Sequence, residues 1–224
     1  MLCPYCNNDF GKDILRKTKC KMCGNFVFIR TKDGIKTPMT QEQKEQFDYI
    51  LSITPFGERN IDEIESMFKK EIVAAKKQLK DEFGNDIPRN DIIFRALNIA
   101  LIRAYDKMDF SEIFYVKSAL HDFFCCEKRY EQALEIAFEI FMLNLNDADN
   151  WHYWDDEGKE HIEYFRPQSG FITMTGWIKI AKSFLELNDN EFEKIFFDVY
   201  KNKLEWLKMP LGAAYMFSVL EQNL

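Results

Sequence analysis

Cys3-Pro-Tyr-Cys6 and Cys20-Lys-Met-Cys23 place four thiols in two C-x-x-C pairs near the start of the chain. Two residues between cysteines let the backbone curl until both sulfurs face one ion. Two such pairs complete a tetrahedral shell of four sulfurs, which suits Zn²⁺ in closed structural sites. Gly24 follows the second pair, where a tight turn calls for positive φ. The 13 residues between Cys6 and Cys20 are enough to hold a hairpin.

The expected cofactor is therefore Zn²⁺, held by Cys3, Cys6, Cys20 and Cys23. Iron in a rubredoxin-like shell would use the same four ligands, and a redox dithiol is the other use of C-x-x-C. A closed shell leaves no position for water or substrate, so the ion is expected to be structural. A segment of about forty residues buries too little surface to fold alone, and metal binding would supply the missing stabilisation.

The element behind the clip reads as a strand. Phe26, Phe28 and Arg30 alternate with Val27, Ile29 and Thr31, and Asp33-Gly34 is a hairpin-turn dipeptide closed by Pro38. Residues 1–40 carry eight basic and three acidic side chains, whereas the rest of the chain carries 22 and 34. A basic head on an acidic body points to an anionic partner, or to docking of head on body. Arg16, Lys17, Lys19, Phe26, Phe28 and Arg30 are the candidate contacts for nucleic acid or a protein partner, because cations interleaved with aromatic rings suit phosphates and stacked bases. Two plainer uses compete. The lysines offset the charge of −2 left by four thiolates around Zn²⁺, and Phe26 with Phe28 form the core of the small unit.

The remainder reads as helices. Thr40 with Gln43 makes a capping box before "QEQKEQFDYILS". Residues 54–60 read as a loop ending on Asn60, which caps with Glu63. Ile61, Ile64, Phe68, Ile72, Ala75, Leu79 and Phe83 recur at helical spacing and predict one long helix ending at Gly84-Asn85. Its lysines (69, 70, 76, 77 and 80) read as a solvated face, since acids are mixed among them. A largely apolar helix is expected from about Asn90 to Tyr105. Ser111–Cys126 and Tyr130–Leu145, joined by a short turn, predict an antiparallel pair. Cys125 and Cys126 point about 100° apart on a helix, so they read as small buried residues rather than ligands. Later helices are expected at 175–187, 190–207 (capped by Asn190 with Glu193) and 210–222, with Pro210 in a first turn.

Two resemblances accompany this reading. Trp177-x₂-Ile180-Ala181-x₂-Phe184 looks like the first-helix pattern of the tetratricopeptide repeat, and Tyr130-x₂-Ala133-Leu134 resembles the start of its second helix. That resemblance implies stacked helix pairs with a concave, protein-binding surface. The head, with CPYC, Arg16-Lys17, CKMCG, "VFIRT", Asp33-Gly34 and Thr40, resembles the N-terminal zinc ribbon of many uncharacterised bacterial and phage proteins. It implies a zinc-ribbon protein and carries no activity with it.

Residues 146–172 break the helical rhythm and read as a long loop. Trp151, His152, Trp154 and His161, among several acids, make it a candidate binding loop. An enzyme site near residues 151–161 would require these histidines and carboxylates to converge. His121 reads as a helix-surface or satisfied core histidine rather than a general base.

The expected fold class is mostly α: a zinc ribbon over 1–38 and an all-α, tetratricopeptide-like body of antiparallel helix pairs over 39–224. The expected function is that of a non-enzymatic interaction or adaptor protein that binds another protein. A nucleic-acid-binding accessory protein using the basic ribbon is the alternative, and an enzyme is a distant one. The thiol-rich head and the lack of a secretory signal suggest the cytoplasm. No apolar run of membrane-spanning length occurs in the sequence.

Overall fold

The computed structural model describes residues 1–14, 16–32, 35–45 and 59–224. Two compact units divide the chain, Met1–Gly57 and Glu58–Leu224. The first unit therefore extends past the boundary expected at residue 38. One tie within it is visible, because the Gln41 amide donates to the Tyr5 hydroxyl at 2.8 Å.

In the first unit β1 (Thr18–Lys19), β2 (Phe26–Lys32) and β3 (Ile35–Met39) form an antiparallel sheet in that order. Thr18 pairs with Val27, and Arg30 with Thr37. The strand expected after the second cysteine pair is β2. Its Asp33-Gly34 turn lies outside the described residues. Helix α1 starts at residue 41 and is described through 45. Its capping box is formed: the Thr40 amide donates to Gln43 Oε1 at 2.9 Å and the Gln43 amide to Thr40 Oγ1 at 3.1 Å. The rest of that expected helix, and residues 54–58 of the expected loop, lie outside the described residues.

The second unit begins with α2 (Ile61–Met67), capped by the expected Asn60–Glu63 box. The long helix expected over 61–83 is in fact two. Phe68, at φ −112° and ψ 34°, leaves the helical region and separates α2 from α3 (Lys69–Phe83). Hydrophobic spacing runs through the break unaltered, because Ile64, Phe68 and Ile72 all reach the core. Next come α4 (Arg89–Asp106), α5 (Phe110–Cys126) and α6 (Tyr130–Leu145). Each of α3 to α6 packs on the next. The α5–α6 pair lies where the sequence placed it, joined by a turn in which Lys128 takes φ 59°. Phe110, Phe123, Phe138 and Phe141 are fully buried there, so the high Phe content serves the core.

The second unit is helical as expected, with one small sheet added. Residues 146–172 contain a hairpin, β4 (Ala148–Trp154) with β5 (Glu160–Phe165), where a loop was expected. Three helices follow. Helix α7 spans Thr175–Phe184, and α8 spans Asp189–Val199. The chain then continues through a π-helical turn, Tyr200–Leu204, and a 3₁₀ turn, Glu205–Leu207. Helix α9 is Ala213–Gln222. The capping box of α8 is Asn188 with Glu191, two residues before the expected one. Starting there places Phe192, Phe196 and Val199 on the buried stripe. Pro210 precedes α9 rather than opening it, because the Leu211 amide is drawn to the buried Asn146 Oδ1 at 2.9 Å. Among the described residues, no helix is long and apolar enough to cross a membrane.

Candidate metal centre and exposed hairpin

The two cysteine pairs are built alike. The Cys3 amide donates to the Asn8 carbonyl at 2.9 Å, and the Cys20 amide to the Asn25 carbonyl at 2.8 Å. The Asn7 and Gly24 amides donate back to the carbonyls of Cys3 and Cys20, each at 2.9 Å. Asn7 (φ 56°) and Gly24 (φ 75°) both take the left-handed turn directly after their second cysteine. Asn tolerates that conformation through its short polar side chain, and Gly carries no Cβ to oppose it.

These two knuckles bring all four sulfurs within 4.8 Å of one another. Cys3 Sγ stands 3.8 Å from Cys23 Sγ, and Cys6 Sγ stands 3.8 Å from Cys20 Sγ. Ligand sulfurs about 2.3 Å from a tetrahedral ion lie about 3.8 Å apart along each edge. The donor set and its spacing thus fit a four-thiolate metal site, and Cys3, Cys6, Cys20 and Cys23 would hold the ion. The Asn8 amide pulls the Cys6 thiol down, but desolvation and the three neighbouring sulfurs outweigh it and push it up to about 12. The amide of Cys23, joined by that of Met22, holds Cys20 down at about 7 against desolvation. Four sulfurs this close carry charge together only when a cation neutralises them.

The core of the ribbon is small. Cys3, Cys20 and Val27 are buried together, with Phe10, Cys23 and Ile29 packed against them. Phe26 and Phe28 are not part of this cluster around the sulfurs. They lie on the opposite face of β2, with Phe28 buried and Phe26 48% exposed. Lys17 Nζ stands 4.4 Å from the Phe26 ring centre and 5.0 Å from that of Phe28, and Lys19 Nζ 5.9 Å from Phe26. The structure brings these four side chains together. Arg16 is exposed ahead of β1, and Arg30, in β2, donates to its neighbour's carbonyl at Ile29.

The hairpin separates the other candidate residues. His152 pairs with Ile162 across the strands, Trp154 with Glu160, Trp151 with Glu163 and Tyr153 with His161. Strand alternation puts His152, Trp154, Glu160 and Ile162 on one face and Trp151, Tyr153, His161 and Glu163 on the other. His152 Nδ1 lies 2.7 Å from Glu160 Oε1, while His161 Nε2 lies 2.7 Å from Asp155 Oδ2. The two histidines thus hold separate carboxylates. Among the described residues, the four cysteines are the only group of metal-ligating side chains close enough to hold an ion.

Asn150 seats the hairpin. Its Oδ1 accepts from the Phe110 amide at 2.9 Å and its Nδ2 donates to the Met108 carbonyl at 2.7 Å. Tyr164 and Phe165 pack their rings on Phe110. Beyond that base, Trp154 is 63% exposed and Ile162 45%, with Tyr153 also exposed. Ile162 and Asn150 were not among the residues singled out from sequence. Alternation in "EHIEYF" was the available signal for Ile162.

His121 is buried, with its Nδ1 3.4 Å from Asp122 Oδ1 and its ring against Trp177 at 4.3 Å, the satisfied core histidine expected. Cys125 and Cys126 are half-buried rather than fully so. No known family model matches the chain, and no similar curated protein or solved structure was found.

Proposed function

We propose that this chain is a non-enzymatic interaction protein that binds a protein partner through its β4–β5 hairpin. One observation carries the reading: Trp154 and Ile162 share an exposed face on a hairpin whose base is fixed to the body. Large apolar side chains held rigidly in water mark a contact surface, and Trp is prominent among residues that dominate binding energy. Residues 146–172 carry seven acidic and two basic side chains, so the fitting partner presents an apolar pocket with a basic rim.

In this reading the cysteine cluster holds Zn²⁺ and serves to fold the ribbon. Cysteines gathered as thiolates around an ion, rather than paired in disulfides, suit a reducing compartment such as the cytoplasm. The test is affinity capture from the native host followed by cross-linking through the hairpin. Trp154→Ser with Ile162→Ser should abolish the capture while the circular dichroism spectrum is retained. Unchanged capture by that variant overturns the proposal.

A second reading has its own support. Lys17 and Lys19 against the half-exposed Phe26 form a cation–aromatic patch of the sort that tracks single-stranded nucleic acid. Such binding weakens steeply with salt. Retention of an oligonucleotide that is indifferent to salt, or to Lys17, Lys19 and Arg30 replaced together by Ser, would sink it.

A further inference from the structure

A groove of about 610 Å³ lies where the C-terminal end of α3, residues 84–88 and the first turns of α4 meet. It is separate from the hairpin, and no role has been assigned to it above. Phe83, Ile87 and Phe94 are among its apolar lining, and Asp86 and Asp91 stand in its wall. Its one cation, Arg95, is already committed to Glu82 at 3.3 Å. Asp86 and Asp91 make no ion pair among the described residues. We infer that this groove is the docking site for a peptide segment that sets a bulky apolar side chain between lysines or arginines.

Three features choose that occupant. The volume lies in the range that holds a large side chain or small ligand. The Phe83 ring is 71% exposed at the open end, so a compact ligand would leave it wet whereas a passing chain segment covers it. Among the described lining residues the charge left without an ion pair is negative, so a cation beside the apolar anchor gains and an anion is repelled. The inference does not depend on the hairpin reading, because it uses different residues at a different place.

The test is fluorescence anisotropy with three labelled peptides of about 15 residues, long enough to form a helix. One alternates Leu and Lys at helical spacing, one replaces each Lys with Glu, and one replaces each Leu with Ser. The Leu/Lys peptide should bind and the other two should not. Phe83→Ser, and separately Asp86→Lys with Asp91→Lys, should each weaken it by about tenfold or more. Equal binding to wild type and to both variants would mean only general attraction to the acidic body, and overturns the proposal. So does failure of the Leu/Lys peptide to bind. A wild-type dimer that Phe83→Ser converts to monomer would give the groove to a second copy of the chain and overturn it equally.

Discussion

Cys3 and Cys23, one from each knuckle, hold their sulfurs 3.8 Å apart, the edge length of a four-sulfur tetrahedron sized for a single ion. The pair Cys6 and Cys20 repeats it. Around the sulfurs the buried cluster is small, Cys3, Cys20 and Val27 with Phe10, Cys23 and Ile29 packed on it, so the ribbon has little apolar core there to stand on without the metal. Cys6→Ser should therefore unfold the ribbon and leave the body intact. Amide spectra should lose the dispersed signals of β1–β3 while those of α4–α6 remain, and bound zinc should fall from one ion per chain to none. Chelation of the wild type should reproduce both changes. Retained dispersion in the ribbon of the variant would show that the ion is not what folds it.

Lys117 and Glu139 form an ion pair with both side chains almost fully buried. Burial alone would lower the Lys117 ammonium, but the Glu139 carboxylate outweighs it and holds it above its ordinary value. Lys203, carried by the π-helical turn, approaches the same carboxylate at 3.7 Å. Removing one partner leaves an uncompensated buried charge. Lys117→Met should cost about 3–5 kcal/mol in urea unfolding of the body. Adding Glu139→Leu should recover most of that loss, because the desolvated carboxylate is then gone. A double variant as weak as the single one would mean that the pair contributes packing rather than charge compensation.

Gly170 is pinned by the end of α6. A Cβ there would lie 2.1 Å from the Leu145 carbonyl oxygen, and that oxygen belongs to backbone which cannot swing aside. Gly170→Ala should destabilise the body by roughly 1–3 kcal/mol, read as a lower urea midpoint with unchanged slope. An unshifted midpoint would show that the chain after β5 can move without cost.

The parts of the fold that were legible are those set by contacts close in sequence. C-x-x-C spacing places the sulfurs, and the Asn60–Glu63 box starts α2 because both partners lie in one turn. The α5–α6 pair was readable for the same reason, since a short turn leaves an antiparallel return as the simple option. The misses have equally physical causes. "LNDNEFE" offers two Asn-x-x-Glu boxes, and burial of Phe192 and Phe196, a tertiary matter, selects Asn188. The hairpin stayed hidden because aromatic rings occupy both of its faces, Trp151 and Tyr153 on one and Trp154 on the other, which erases the apolar–polar alternation. The break at Phe68 was invisible since its ring still faces the core. No local pattern marks the groove of Phe83 and Phe94, which exists only once α3 and α4 have packed.

The tip of the hairpin depends on one carboxylate. Asp155 Oδ1 accepts from the amides of Glu157 at 3.0 Å and Lys159 at 2.9 Å, and Oδ2 lies 2.7 Å from His161 Nε2. His161, and after it the Lys159 amide, hold the Asp155 carboxyl below its ordinary value of 3.8. A carboxyl lowered on folding contributes order that is complete above its unfolded value and is lost as pH falls through the folded one. The Glu157 and Lys159 amide resonances should therefore keep their positions down to the ordinary value and shift only below it. Asp155→Ala should produce the loosened tip already at neutral pH, with increased amide exchange at both residues. Because Trp154 adjoins this turn, the variant should also weaken partner capture while α5 and α6 keep their exchange protection. A tip that loosens well above pH 3.8 in the wild type would mean that another group holds it closed.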